Sequence, residues 1–260
     1  MMAASPLLDF IRIALCAVML VYSSIMDLRS REVSNWTWVA FAPIGAILDI
    51  YETLYLKITD PVFYLIVPVS LSAVLALAFF YLGLYGGADA KAFITVAILV
   101  PYHPRLITPY LGAFSPVYPL TVFTDSAIMA GLFALLLLVR NIVWGLRTKN
   151  VMFEGLDKEP LWKKGLVLLS CIKVEAGNLK GPPYEYPAEV IADSGRKLRL
   201  MPNTNDDEAA TAMFKQLVEE MDLKEVWVSP TLPFLLFISL GFFSSLMFGD
   251  FVFWALARTL

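Results

Sequence analysis

Residues 119–144 read PLTVFTDSAIMAGLFALLLLVRNIVW, and only Asp125 and Arg140 in that run are charged. About 20 apolar residues cross the hydrocarbon core as a helix, so this stretch predicts a membrane span. Similar runs lie outward from it in both directions, at about 7–26, 36–50, 62–84, 90–100 and 232–256. The third is the longest of the early ones. The fourth is too short to span alone and is expected to use the Gly86-Gly87 turn and pack inside the bundle. Composition agrees: 58 % hydrophobic residues and a mean hydropathy of +0.69 exceed what a soluble chain of this length carries. The first run does not resemble a cleavable signal peptide, because Asp9 and Arg12 stand near its start and no small-residue cleavage site is evident.

Cations in the short connections set the expected orientation. Arg29 and Arg31 follow the first run, Lys91 lies at the third connection, and Arg140, Arg147 and Lys149 close the fifth. The second loop instead sets Lys57 against Asp49, Glu52 and Asp60, while the fourth, with His103 and Arg105, is a mild exception. Odd connections are therefore expected in the cytoplasm, with both termini outside. The fold class that follows is an all-α polytopic membrane protein, six transmembrane helices with a small cytoplasmic α+β insert. Residues 1–148 would carry helices one to five and the active site, 149–229 the insert, and 230–260 helix six.

Within the insert, alternating basic and apolar residues at 196–201 predict a half-exposed strand, and 226–228 a second. Asn205 followed by Glu208 predicts a capped helix to about residue 221. Residues 161–172, opening with Trp162, Lys163 and Lys164, suit an amphipathic helix in the membrane interface. Gly181-Pro182-Pro183 reads as loop. The net charge of −3 without an extended basic stripe gives no support for nucleic acid as a partner. Cys16 and Cys171 form no CxxC pair and His103 is the sole histidine, so no metal and no cofactor are expected.

Acids in or at the ends of membrane helices are costly and mark function by default. Asp9, Asp49, Asp125 and Asp250 sort to the outer face, and Asp125 reads as a buried polar partner. Asp27, ending the first run, and Asp89, opening the fourth, share the inner face. Two carboxylates at hydrogen-bonding distance hold one proton between them. The ionised member can then accept a proton from water while the other polarises a scissile carbonyl. The plainer readings are an interfacial pairing of Asp27 with Arg29 or Arg31, a helix-capping role for Asp89, and close helix packing at Gly86 and Gly87. Lys91, two residues from Asp89, snorkels as readily as it acts in a site. Glu32, Asp157 and Glu159 can attract a basic peptide or simply face solvent.

Gly86-Gly87-Ala88-Asp89-Ala90-Lys91 resembles the GxGD region of archaeal type IV prepilin and preflagellin (prearchaellin) peptidases, which are aspartyl proteases. Asp27-Leu28-Arg29-Ser30-Arg31-Glu32-Val33 resembles their first aspartate motif. Residues 119–147, including Arg140-Asn141, and Glu225-Val226-Trp227-Val228-Ser229-Pro230 through Gly249-Asp250 resemble the preflagellin branch. The resemblance implies Asp27 and Asp89 as catalytic dyad, supported by Gly86, Gly87, Ala88, Lys91 and Glu32. It also implies archaellin or pilin precursors as partners, cut at the cytoplasmic membrane face where a short basic leader meets a hydrophobic helix. Ala88 stands where the family has its second Gly, which argues against a role needing positive φ there. Nothing resembles the four-Cys zinc domain of bacterial relatives, so proteolysis alone is expected. The rival readings are a presenilin-like intramembrane protease and a non-enzymatic proton-coupled transporter.

Overall fold

The computed structural model describes residues 6–55, 65–148, 152–192, 195–201, 203 and 206–259. Lys57, Asp60, Lys149, Asn205 and the start of the third apolar run, 62–64, lie outside the described residues. In chain order the elements are helices α1 (Pro6–Ser30), α2 (Asn35–Tyr55), α3 (Val67–Tyr81), α4 (Gly87–Leu99), α5 (Tyr118–Thr148) and α6 (Leu161–Ser170). Strands β1 (Ile172–Glu175), β2 (Glu185–Pro187), β3 (Glu189–Ala192) and β4 (Gly195–Leu198) follow, then α7 (Asp207–Lys215), β5 (Glu225–Pro230), α8 (Phe234–Met247) and α9 (Phe251–Thr259). The protein is mostly helical with a small β insert. It divides into two compact units, Met1–Ala130 with Pro233–Leu260, and Gly131–Leu232.

In the first unit, α4 packs against α1, α2, α3 and α8. Beyond Lys91 its sequence is apolar all round, which suits a helix covered on every side. Ala90, Ala92, Phe93, Thr95, Val96, Ala97 and Leu99 are all buried. Cys16, Met19 and Leu20 of α1, Trp38 of α2, and Leu235, Ile238 and Phe242 of α8 close around it. Large apolar side chains point the other way on the outer helices, among them Phe10, Val18, Ile47 and Val74. Such a surface matches an apolar solvent. Both α1 and the 118–147 stretch of α5 are long and apolar enough to cross a membrane, and α8 with α9 makes a third span if that bent pair counts as one.

In the run 62–84 the described helix α3 ends at Tyr81, and its last carbonyls, on Ala78, Phe79 and Phe80, accept from the N–H groups of residues 82–85. One expectation needs correction: the run 232–256 is not one straight span, because α8 and α9 are bent by 52°. The break sits at Gly249, whose φ of +90° and 2.3 Å approach of a would-be Cβ to the Ala113 carbonyl oxygen exclude a side chain. Backbone groups freed there are paired again. Tyr110 and Leu111 donate to the Met247 and Phe248 carbonyls, both at 2.9 Å, and Asp250 N–H donates to Ala113 O at 2.8 Å. The Asp250 carboxylate then accepts from Phe253 N–H, 2.8 Å, and so caps α9.

The acids assigned away from the dyad are held by the fold. Arg12 meets Asp49 at 2.7 Å and Glu52 at 2.8 Å, donates to Leu99 O at 2.8 Å, and Tyr102 adds its hydroxyl to Glu52. Asp9 accepts from the N–H of Arg105, 2.8 Å. Thr121 donates to Asp250, 2.9 Å, and Asp125 is fully buried beside the Phe251 N–H.

In the second unit a three-stranded antiparallel sheet runs β1-β5-β2, with Lys173 opposite Trp227 and Tyr186 opposite Ser229. The strand expected at 226–228 is the centre of this sheet, β5. Both its faces are covered: Trp227 packs with Val167, Leu156 and Leu198, and Val226 and Val228 pack with Phe214 and Leu217. The strand expected at 196–201 is shorter, β4, paired with β3 through Ile191 and Arg196. It aims Arg196 at Glu189, 2.9 Å. Burial pushes the Glu189 carboxyl up from its usual range, while the Trp227 N–H and Arg196 oppose that. The described cap of α7 is Asp206, whose side chain accepts from Ala209 N–H. On α6 the inner face is buried at Val167, while Leu161 and Trp162 are exposed. Asn141 of α5 spends both amide protons on its end, donating to Leu168 O at 2.9 Å and Cys171 O at 2.8 Å.

Candidate active site

Asp27 lies in the last turn of α1. The helix closes there because Arg31 N–H donates back to Asp27 O at 3.1 Å. Arg31 takes the left-handed conformation, φ 57°, a state that costs a residue with a Cβ. The bend returns the chain to α2, and the Arg31 cation comes within electrostatic reach of the half-buried Asp27 carboxylate.

Asp89 stands three residues into α4 after Gly86, the extended residue that caps the helix. Its Oδ2 accepts from Gly86 N–H at 2.8 Å, satisfying one of the donors that a helix start leaves unpaired. The N–H of Leu235, at the start of α8, also bonds the Asp89 side chain. Asp27 and Asp89 thus come from separate helices of one unit and lie within electrostatic reach of each other. Asp89 is not the N-cap, a place that Gly86 takes, but it satisfies the cap's N–H from the third helical position.

The remaining expected residues are placed as follows. Gly87 opens α4, and a Cβ there would meet nothing closer than a Phe80 ring carbon at 3.9 Å, so close helix packing does not account for it. Ala88 is helical and carries no positive φ. Lys91 turns from Asp89 and donates to Asn35 Oδ1 at 2.8 Å, tying α4 to the start of α2. Glu32 is exposed in the α1–α2 turn. Among the described residues no three His, Cys, Asp or Glu side chains converge as a metal-ligand set.

Sequence reasoning missed two contributors. One is the Leu235 N–H, which no side-chain pattern announces. The other is Tyr85, buried between Phe79 and Phe234 with ring centroids 5.3 and 4.7 Å away. Its signal was present: a tyrosine directly before the glycine pair. Burial, and after it the Asp89 carboxylate, hold the Tyr85 phenol well above its ordinary range, so it stays a neutral donor.

Comparison with known proteins bears on both halves of the chain. The Type IV leader peptidase family matches residues 14–136, which include Asp27 and Asp89. The family described as Archaeal Peptidase A24 C-terminus Type II matches residues 163–251. The preflagellin peptidase of Methanococcus voltae is 26 % identical over 236 residues, 89 % of this chain and 92 % of the relative. That of Methanocaldococcus jannaschii is 25 % identical over 245 residues, covering 90 % and 92 %. A third, from Methanococcus maripaludis, is 23 % identical over 239 residues, covering 90 % and 93 %. With two family matches that together cover most of the chain and relatives aligned along nearly their whole length, the chain belongs to the preflagellin and type IV prepilin peptidase family.

Proposed function

We propose that this protein is a membrane aspartyl endopeptidase that removes the short basic leader from archaellin and type IV pilin-like precursors, with Asp27 and Asp89 as its dyad. The observation that supports the dyad is their approach from α1 and α4, with Asp89 gripped by the Gly86 and Leu235 N–H groups. In this reading one carboxylate takes a proton from water, whose oxygen bonds to the scissile carbonyl carbon. The partner carboxylic acid gives its proton to the carbonyl oxygen; as the C–N bond breaks, the first carboxyl passes the proton it took from water to the leaving amine, and the partner regains one from the gem-diol hydroxyl. Lys91 ties α4 to α2 through Asn35, a positioning role rather than a chemical one.

The helices α2, α3 and α4 complete a six-span bundle in this proposal, with α4 shielded from lipid by its neighbours. Arg29, Arg31, Lys91, Arg140 and Arg147 then share one side, which the positive-inside rule puts in the cytoplasm together with the dyad and the insert. A leader carrying Lys or Arg would meet the exposed Glu32 there. Dyad ends at the membrane surface suit a cut beside a hydrophobic helix better than a cut within it, which favours leader removal over intramembrane proteolysis.

The test is cleavage of a leader-bearing precursor by purified protein in detergent, without any ion gradient. Asp27→Asn and Asp89→Asn are each expected to abolish the cut while the folded fraction, read by thermal melting, is retained. Wild-type turnover in either variant would remove the dyad assignment.

A further inference from the structure

We propose that the Tyr85 hydroxyl is a substrate contact of this active site, donating a hydrogen bond to the carbonyl oxygen of the peptide bond being cut. The proposal rests on the dyad reading above. Tyr85 is 6 % exposed, and its hydroxyl is shielded without a hydrogen-bond partner among the described residues. Native folds rarely keep a buried hydroxyl in that condition without a use for it. A ring needed only for packing would be served as well by phenylalanine, which carries no donor to satisfy.

The ring is also immobilised at the right place. It packs between Phe79 and Phe234 at centroid distances of 5.3 and 4.7 Å, and its backbone N–H is bonded to Phe79 O at 3.2 Å. Each chain segment that locates the hydroxyl also grips the aspartate. Gly86, the next residue after Tyr85, donates to Asp89 Oδ2 at 2.8 Å. Leu235, the next residue after Phe234, donates to the same side chain. The phenol and the Asp89 carboxylate are therefore fixed by one framework, and the two groups lie within electrostatic reach.

The chemistry balances without a change at Tyr85. As water adds, its oxygen bonds to the carbonyl carbon and its proton passes to the ionised carboxyl. The carbonyl π pair moves onto oxygen, which accepts from the protonated aspartate and from the Tyr85 O–H. A fixed donor aimed at developing charge acts chiefly in the transition state. Charge appears on that oxygen only as the bond forms, so kcat should carry the effect and KM should not.

The experiment compares wild type, Tyr85→Phe, Asp27→Asn and Asp89→Asn in the full chain. The probe is a peptide with a basic leader followed by a hydrophobic segment. Tyr85→Phe is expected to lower kcat about 10²-fold, to leave KM nearly unchanged, and to melt no lower than wild type because only an unpartnered hydroxyl is removed. Wild-type kcat in Tyr85→Phe, or a fall that merely tracks a smaller folded fraction, overturns the proposal. If both Asp→Asn variants are inactive while Tyr85→Phe cleaves normally, the dyad stands and this inference alone is lost. If either Asp→Asn variant cleaves normally, the dyad reading fails and takes this inference with it.

Discussion

Gly241 offers the sharpest test of the helix packing, because a single methyl group there has nowhere to go. A Cβ built on Gly241 of α8 would lie 2.2 Å from the Ser126 Oγ, 2.6 Å from its backbone N and 2.8 Å from its Cα. The hydroxyl is already committed to Val122 O, and the other two atoms are helix backbone. The only relief is to move α8 off α5. Overpacking of this kind costs about 1–3 kcal/mol, and it opposes the gain of up to roughly 1 kcal/mol that Gly→Ala brings inside a helix. A net loss of about 1–2 kcal/mol is expected for Gly241→Ala, a fall in Tm of roughly 2–8 °C for a chain of this size. Gly131 of α5 supplies the control, since a Cβ there meets nothing within 4 Å. Gly131→Ala is expected to raise Tm by about 1–4 °C from helix propensity alone. Melting followed by the fluorescence of the six tryptophans in one detergent reads both. Because α8 also carries Leu235 to Asp89, Gly241→Ala should lower precursor cleavage as well. Shifts of the same sign in the two variants would refute the close approach of α8 to α5.

Other perturbations address the buried charges and the turn at the site. Arg12→Leu strands the Asp49 and Glu52 carboxylates inside the bundle; a loss of about 3–5 kcal/mol is expected, and Asp49→Leu with Glu52→Leu in the same chain should restore much of the Tm. A melting point that Arg12→Leu leaves unchanged would show that the three side chains are not mutually dependent. Arg31→Gly removes the strain of φ 57°, so Tm should rise by the equivalent of about 1–2 kcal/mol; a lower Tm would mean that the side-chain contacts of Arg31 outweigh its backbone cost.

The apolar runs were legible because lipid makes one demand that sequence displays directly, length without charge. Their ends were less so. The run 232–256 looked continuous because Gly249 inside an apolar stretch does not announce a positive φ, and the groups that satisfy the break come from Tyr110, Leu111 and Ala113, distant in the chain. Expected topology alone set Asp27 and Asp89 apart from the other acids, and the two lie within electrostatic reach of each other. What topology could not supply is the grip on Asp89, since a backbone N–H such as that of Leu235 has no side-chain signature. In the insert, β5 was underestimated because both its faces are buried, so the alternation that marks a half-exposed strand is missing.

The repaired break between α8 and α9 also sets an order of assembly. Residues 109–113 leave the ribosome long before α8 does, yet the Tyr110 and Leu111 N–H groups find their acceptors only on Met247 and Phe248. Ser24 of α1 waits in the same way for Ser239, 2.7 Å away. Until α8 is made, the Ser24 hydroxyl and the N–H groups of Tyr110 and Leu111 lack the partners that the finished fold gives them. Nascent chains stalled before residue 233 should therefore be easy prey for membrane quality-control proteases, and the Leu235 N–H would complete the grip on Asp89 only when synthesis is nearly done. A chain assembled this way has the grip on Asp89 finished last, after the whole insert has been made.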